Sequence, residues 1–342
     1  MYASGVRRIA PCVLLVWLLP LAAAAEPECT PDVALGDAAA ELLLAGKAPD
    51  PQQLMAAVRG AGSDAVAVRA LYLPDDDPAR LAGWLAELRK KTDAPLICGD
   101  ARAARGRLIV ASARGGTFWL ERGRLRGTLA PGFDRPELIV RHADGSSERA
   151  SLSLAELERG IPLEPSWRSG KLQLMAHGPS GPRPVAERST AGAELQPAAA
   201  ELQISGALDA RGVFEALAQL REQHAKPALR GNRLAQRVAT KYAADVCAQG
   251  RVVHELEPGV TPETRVARAG LKAKLVGETV ARAADAAAAL KALWQSPSHA
   301  MTLLEPRFTD VGVGLASDDH RRTCLVVLLL SWPRPVAVSG TD

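Results

Sequence analysis

Aromatic side chains are scarce in this chain, at 4% of its 342 residues, so its cores must be built mainly from leucine, valine and alanine. No run of five like charges occurs. Charged residues make up 23% of the chain and hydrophobic residues 47%, which is normal for packed globular proteins and excludes a fibrous or largely disordered chain. The length is sufficient for two domains of ordinary size.

Several motifs with well-known chemistry are also missing. No Cys-x-x-Cys pair occurs, which excludes a zinc knuckle or a thioredoxin-type site. No phosphate-binding loop, dinucleotide fingerprint or Gly-x-Ser-x-Gly nucleophile elbow is present. The stretch HELEP begins at His254 like a zinc-protease motif, but Pro258 occupies the position of the second histidine ligand. The sequence therefore assigns no catalytic residue.

Residues 1–25 have the three-part layout of a secretory signal peptide. Arg7 and Arg8 form a basic start, residues 12–21 are apolar, and four alanines follow before Glu26. The apolar run is shorter than the roughly 20 residues that span a bilayer. We expect cleavage before Glu26, a secreted or periplasmic location, and no transmembrane segment in the mature chain. An uncleaved N-terminal anchor is the alternative.

The charge of the mature chain argues against a nucleic-acid partner. Removing residues 1–25 takes away two arginines and no acid, which leaves 40 Lys and Arg residues against 38 Asp and Glu residues. A net charge of about +2 is too small to favour nucleic acid or an anionic surface. The expected partner is an extracellular or envelope ligand of unknown identity.

A segment rich in proline, glycine, alanine and serine, residues 178–203, is typical of a linker between domains. It divides the chain into an N-terminal α+β domain of no recognised family, residues 26–177, and a C-terminal domain, residues 204–335. Residues 336–342 form a tail.

The cysteines that remain after signal removal are distributed evenly around this linker. Cys29 and Cys98 precede it, and Cys247 and Cys324 follow it. Four cysteines allow three pairings, and export makes disulfides the expected state. One bridge within each half is favoured, so we predict Cys29–Cys98 and Cys247–Cys324.

The first half changes character along its length. From Pro31 to about Lys91 the pattern is helical, with Asp77 and Pro78 starting one amphipathic helix. From Arg107 onward short β-prone runs alternate with turns, which predicts a series of hairpins. The fold class we expect is α+β, with a smaller α-then-β domain before the C-terminal one.

The second half predicts a three-layer α-β-α arrangement. A helix with Leu234, Val238, Tyr242 and Val246 on one face precedes an alanine-rich helix that Pro297 ends. The stretch DVGVGLA then alternates large residues with glycines that let a helix or ligand approach closely. The following CLVVLLLSW is apolar on both faces, which is typical of a central strand covered on both sides.

Three stretches in this half carry a family resemblance. They are HELEPGVTPETRVARAG, VGETVA and WQSPSHAMTLLEPRFTDVGVGLA, in this order. Together they resemble the CAP superfamily of cysteine-rich secretory proteins, antigen 5 and pathogenesis-related proteins, including its bacterial extracytoplasmic members. The resemblance covers about residues 213–332. It implies a cleft lined by His254, Glu278 and His299.

Two imidazoles and one carboxylate can form a three-ligand zinc site with an open position, so zinc is the cofactor we would expect at His254, Glu278 and His299. The alternatives are a metal-free ligand cleft and a hydrogen-bonded structural cluster. The function we expect is an exported binding or interaction protein. A metal-dependent hydrolase of envelope or extracellular material is the second hypothesis.

Overall fold

The structure is a computed structural model that describes residues 29–104, 106–190 and 208–333. The predicted signal peptide, the second half of the predicted linker and the predicted tail lie outside the described residues. Within these ranges, no helix has the length and hydropathy needed to cross a bilayer.

The first part of the chain folds into a four-stranded sheet between helices. Asp32, Asp50 and Asp77 each start a helix by accepting a hydrogen bond from a first-turn backbone N–H. The strand order is β1-β3-β4-β2, with the first two helices packed on one face and the third on the other. The elements are β1 (Thr30–Pro31), α1 (Val33–Leu43), α2 (Pro51–Gly60), β2 (Arg69–Leu73), α3 (Pro78–Lys90), β3 (Leu96–Ala103) and β4 (Gly106–Ala113).

The second part consists of two small antiparallel sheets around one core. The sheet orders are β11-β10-β7-β8 and β5-β6-β9. Phe118, Leu138 and Leu172 are among the fully buried side chains of this core. The elements are β5 (Gly116–Glu121), β6 (Arg124–Leu129), β7 (Asp134–His142), β8 (Ser147–Ser151), α4 (Leu154–Arg159), β9 (Ile161–Pro162), a 3-10 helix (Pro165–Ser169), β10 (Gly170–Gly178) and β11 (Gly181–Ser189).

Three expectations about the N-terminal domain are wrong in detail. The strand β2 interrupts the segment that was expected to be helical up to Lys91. Residues 178–189 belong to the β10–β11 hairpin rather than to a linker, because Gly181 adopts a positive φ of 91° in its tight turn. The domain is also the longer of the two described halves, not the smaller.

The C-terminal half has the predicted α-β-α layers. Its sheet has the order β12-β14-β15-β13, with α6 on one face and α5, α8 and α9 on the other. The central strand β15 is buried along almost its whole length, as its two-sided apolar sequence predicts. The elements are α5 (Ala210–Gln223), β12 (Arg230–Gly231), α6 (Arg233–Gln249), α7 (Pro262–Arg268), β13 (Leu275–Ala283), α8 (Ala286–Gln295), α9 (Pro297–Leu304), β14 (Asp310–Ser317) and β15 (Thr323–Ser331).

The glycines of β14 allow α6 to lie directly on the sheet. A Cβ at Gly312 would be 2.2 Å from the backbone carbon of Ala235, and one at Gly314 would be 2.1 Å from that of Ala239. The buried face of α6 accordingly contains Ala235 and Ala239 beside Tyr242, whereas the predicted Leu234 is exposed. Small residues on both elements thus replace the expected leucine contact.

Both predicted disulfides are present. Cys29 is bonded to Cys98 and Cys247 to Cys324, and the bridges close loops with sequence separations of 69 and 77 residues. In the chain-entropy model, a disulfide that closes a loop of this size stabilises the fold by about 4–5 kcal/mol, because it restricts the unfolded chain. Each half of the molecule carries its own bridge.

The two halves meet where α8 ends and α9 begins. Arg141 donates to the carbonyl of Trp294 and lies 4.1 Å from the centre of its ring, and Lys171 donates to the carbonyl of Gln295 at 3.0 Å. Gln173 Oε1 accepts the Ser298 N–H at 3.0 Å. Neither helix provides a basic last turn or an acidic first turn of its own at this junction. The N-terminal domain therefore supplies the groups that the helix ends need.

Candidate functional site

His254 and Glu278 form one direct contact of the predicted cleft. His254 lies in the loop after α6, and its Nδ1 is 2.9 Å from Glu278 Oε1 on β13, the edge strand of the sheet. The other carboxylate oxygen, Oε2, is 2.5 Å from Nη2 of Arg265 on α7. The side chain of Glu278 is only 2% exposed, and each of its oxygens has a half-buried partner.

Arg265 organises the loop that carries His254. Its Nη1 donates to the carbonyls of His254 at 2.9 Å and Val260 at 2.7 Å. Its guanidinium lies 3.4 Å from the centre of the Tyr242 ring, a cation–π distance. Burial, with the charge of Glu278, raises the pKa of Tyr242, whose hydroxyl donates to the Val253 carbonyl. The loop is thus fixed from both ends.

His299 lies in the first turn of α9, which begins at Pro297. The sequence predicted that Pro297 ends α8, which is confirmed, but it did not predict that the same proline starts a new helix. Burial first, and then the nearby His254, lowers the pKa of His299 to about 3, against a small opposing effect of Glu187. The imidazole of His299 is therefore neutral at physiological pH.

A buried polar network from the N-terminal domain lies beside His299. Glu187 on β11 accepts from Gln173 at 2.8 Å and pairs with Lys171 at 2.8 Å and Arg59 at 3.2 Å. Burial raises the pKa of Glu187, but attraction to Lys171 and Arg59 outweighs it and keeps the pKa below its usual value. Gln173 also donates to the Ser296 hydroxyl. The cleft is thus bordered by charged groups of a different domain.

A cavity of about 1310 Å³ lies between the two halves, and the predicted cleft opens into it. His254 and His299 line it from the C-terminal side, together with residues 280–282 of the β13 edge. Gln173 and Glu187 line it from the N-terminal side. The site therefore faces a space that both domains line.

The residues present fit a three-ligand metal site poorly. Glu278 has both oxygens engaged and is positioned to orient His254 through Nδ1, as carboxylates do behind a histidine, rather than to act as a ligand itself. No group of three or more His, Cys, Asp or Glu side chains with metal-binding geometry occurs in the described ranges. Zinc binding at His254, Glu278 and His299 stays a prediction.

Sequence reasoning missed three residues of this site. Arg265 lies on the predicted helix after His254. The sequence spacing between Arg265 and Glu278 gives no signal that the two side chains are in contact. Gln173 and Glu187 come from a domain without a recognised family, and more than 100 residues separate each of them from His299. Only the packing of the two halves brings them to the cleft.

Comparison with known families supports the expected fold. Residues 214–329 match the model of the cysteine-rich secretory protein family, CAP, which is about a third of the chain. The C-terminal half is therefore a CAP domain, with the three-layer architecture described above. A search of the curated proteins gives no match.

Three solved structures with similarity to this chain are of bacterial proteins. An outer surface protein of Borrelia burgdorferi is 21% identical, with 38% of this chain and 100% of that chain covered and a TM-score of 0.34. An extracellular protein of Bacillus anthracis that contains an SCP domain is 16% identical, with coverages of 76% and 93% and a TM-score of 0.33. A cysteine-rich secretory protein of Staphylococcus aureus is 10% identical, with coverages of 64% and 83% and a TM-score of 0.31.

Proposed function

We propose that this protein is an exported binding protein whose CAP cleft takes up a ligand between the two domains. Two intramolecular disulfides support an oxidising compartment outside the cytoplasm, secreted or periplasmic. The signal-like pattern of residues 1–25 supports the same route.

The observation that carries this proposal is the state of the three cleft residues. Glu278 has both oxygens bonded to His254 and Arg265, so it is neither a free general base nor an open metal ligand. His299 is half-buried, and burial lowers its pKa so that it stays neutral where it lines the cavity. Such preformed, buried polar groups around a cavity suit ligand recognition, in which a few fixed groups orient the bound molecule.

The chemistry available to a ligand follows from these bonds. His254 presents Nε2, because its Nδ1 is held by Glu278. A neutral imidazole at His299 can donate from one ring nitrogen and accept at the other. A ligand hydroxyl, amide or acid group can therefore be oriented by both histidines.

A metal-dependent hydrolase is the second candidate, because the carboxylate–imidazole pair of Glu278 and His254 is an arrangement that also supports metal-bound histidines. His254 and His299 would hold the ion. Bound zinc would polarise a carbonyl or activate water.

One experiment separates the two candidates. The full-length protein is incubated with a panel of peptides, oligosaccharides and esters, with and without zinc, and followed by mass spectrometry and thermal shift. We expect unchanged masses, and at least one compound that stabilises the wild type but not His254→Ala. Zinc-dependent products that disappear in a His254→Ala, His299→Ala double variant would establish the hydrolase instead.

A further inference from the structure

The interdomain cavity has an unusual charge for a chain that is almost neutral. Its described lining contains nine Lys or Arg side chains and one carboxylate, Glu187. The whole chain has 42 Lys and Arg residues against 38 Asp and Glu residues, so composition alone would give nearly equal numbers. Folding has concentrated positive charge in this space.

Part of this charge is neutralised within the protein. Glu187 pairs with Arg59 and Lys171, and Asp93 pairs with Arg183 at 2.7 Å. These pairs lie within the N-terminal domain, and Lys171 also donates to the Gln295 carbonyl in the CAP domain. Several other Lys and Arg side chains of the described cavity lining have no carboxylate partner.

Arg69 and Arg251 are the clearest cases among the described residues. The Arg69 guanidinium donates to a backbone carbonyl, that of Val68 at 3.0 Å, and Arg251 donates to the Ser180 hydroxyl at 2.8 Å. Arg251 Nε is buried and has no hydrogen-bond partner. A buried N–H without an acceptor costs on the order of a hydrogen bond, so an acceptor supplied from the cavity would be favourable.

Like charges from the two domains also face each other. Burial, followed by the charges of Arg322 and Arg282 in the CAP domain, lowers the pKa of Arg69 in the N-terminal domain. Asp318 neutralises Arg282 through Oδ2, while its Oδ1 accepts the backbone N–H groups of His320 and Arg322. Asp318 is thus the one carboxylate described here among Arg69, Arg282 and Arg322, which leaves positive charge on both sides of the interface.

We propose that the cavity binds a small oligoanion, with two or more phosphate or carboxylate groups, through Arg69 and Arg251. Arginine suits this role because its planar guanidinium donates two parallel hydrogen bonds to a phosphate or a carboxylate. The volume of about 1310 Å³ exceeds the need of a single anion. This proposal gives the ligand class for the binding role proposed above and rests on it.

Calorimetry on the full-length protein tests the ligand class. The probes are tripolyphosphate for the phosphate source, citrate for the carboxylate source and maltotriose as an uncharged comparator. We expect saturable binding of at least one of the two anions and none of maltotriose, with affinity falling several-fold between low and high sodium chloride. The stronger anion identifies which source of charge the site prefers.

Two variants locate the site. Arg69→Gln should weaken anion binding at least tenfold, whereas Arg237→Gln, on the exposed face of α6 outside the cavity, should leave it unchanged. Arg251→Gln is the second cavity variant, and it replaces Arg69→Gln in the comparison if the latter does not fold. Circular dichroism and thermal unfolding check each fold.

The outcomes separate this proposal from the proposed function. The proposal that the cavity binds an oligoanion would be overturned if the wild type, Arg69→Gln and Arg251→Gln bound the anions equally. It would also be overturned if no anion bound at all. A His254-dependent uncharged ligand would overturn it while the binding role remained. Turnover of the panel substrates would instead remove the binding role itself.

Discussion

His299 provides a pH-dependent contribution to stability at the scale of a single residue. Its pKa is about 3 in the folded protein and would be near 6.5 in an unfolded chain. Between these values the unfolded chain binds a proton that the folded protein does not, so stability falls as the pH decreases from about 6.5 toward 3. Each pH unit in this window corresponds to at most about 1.4 kcal/mol.

When the pH is lowered from 6.5 to 5, we therefore expect the free energy of unfolding of the wild type to fall by up to about 2 kcal/mol more than that of His299→Gln. Urea unfolding at the two pH values measures it, and the window lies above the range in which most carboxylates titrate. The exposed His320, changed to Gln, is the matched control and should behave like the wild type. Parallel pH profiles for wild type and His299→Gln would show that the imidazole is not enclosed as described.

At the scale of elements, the contact between α6 and β14 makes the strongest prediction. Gly312→Ala places a Cβ 2.2 Å from the backbone of Ala235 in the first turn of α6, and helix backbone cannot move aside as a flexible side chain can. Overpacking of this kind costs about 1–3 kcal/mol and occasionally more, and we expect about 3 kcal/mol here because the whole helix must shift.

The same sheet contains the control for this change. Gly231 in β12 has no atom within 4 Å of a would-be Cβ, so Gly231→Ala should change the unfolding free energy by less than about 0.5 kcal/mol. Denaturant unfolding compares the two variants. Similar stability of Gly312→Ala and Gly231→Ala would contradict the close packing of α6 on the sheet.

The sequence predicted these elements well where local signals exist. Three local signals, each spanning only a few residues, gave the expected structure. They are Pro262 at the start of α7, Pro297 after the end of α8 and the alternating glycines of β14. Val238, Tyr242 and Val246 of the predicted stripe face the core. The prediction was wrong for Leu234, because Ala235 and Ala239 make the close contact of α6 with Gly312 and Gly314. Helical periodicity alone does not distinguish an alanine face from a leucine face when both recur every three or four residues.

At the scale of the whole molecule, the domain interface depends on Gln173. Its Oε1 accepts the Ser298 N–H, and its Nε2 donates to Glu187 and Ser296. Gln173→Met keeps a similar volume but leaves the buried Ser298 N–H without its acceptor, which costs about 1–3 kcal/mol, whereas Glu187 keeps Lys171 and Arg59 as partners.

We expect Gln173→Met to lower the unfolding free energy and to speed hydrogen exchange at the amides of α9, particularly Ser298. Hydrogen-exchange mass spectrometry with thermal unfolding measures both. Gln219→Met, on an exposed position of α5, is the control. Unchanged exchange of α9 in Gln173→Met would mean that the N-terminal domain does not support the start of this helix.

The arrangement of the domains is what the sequence could not predict. The candidate histidines and the glutamate were found from a family resemblance, but the partners that surround them were not. The contact of Glu278 with Arg265 and that of Ser298 with Gln173 are long-range pairings between residues with no shared local pattern. The first depends on how α7 packs beside β13 within the CAP domain, and the second on how the two domains pack together.

The hydrogen bonds that the N-terminal domain makes to the ends of α8 and α9 would be lost if the CAP domain were isolated. A fragment of residues 208–333 alone would begin α9 without the Gln173 acceptor and would open His299 to water. Its imidazole would then gain a proton at mildly acidic pH and its groove would admit molecules of any charge. Assays on such a fragment would measure an exposed, titrating groove, whereas the full chain presents a cavity lined by both domains.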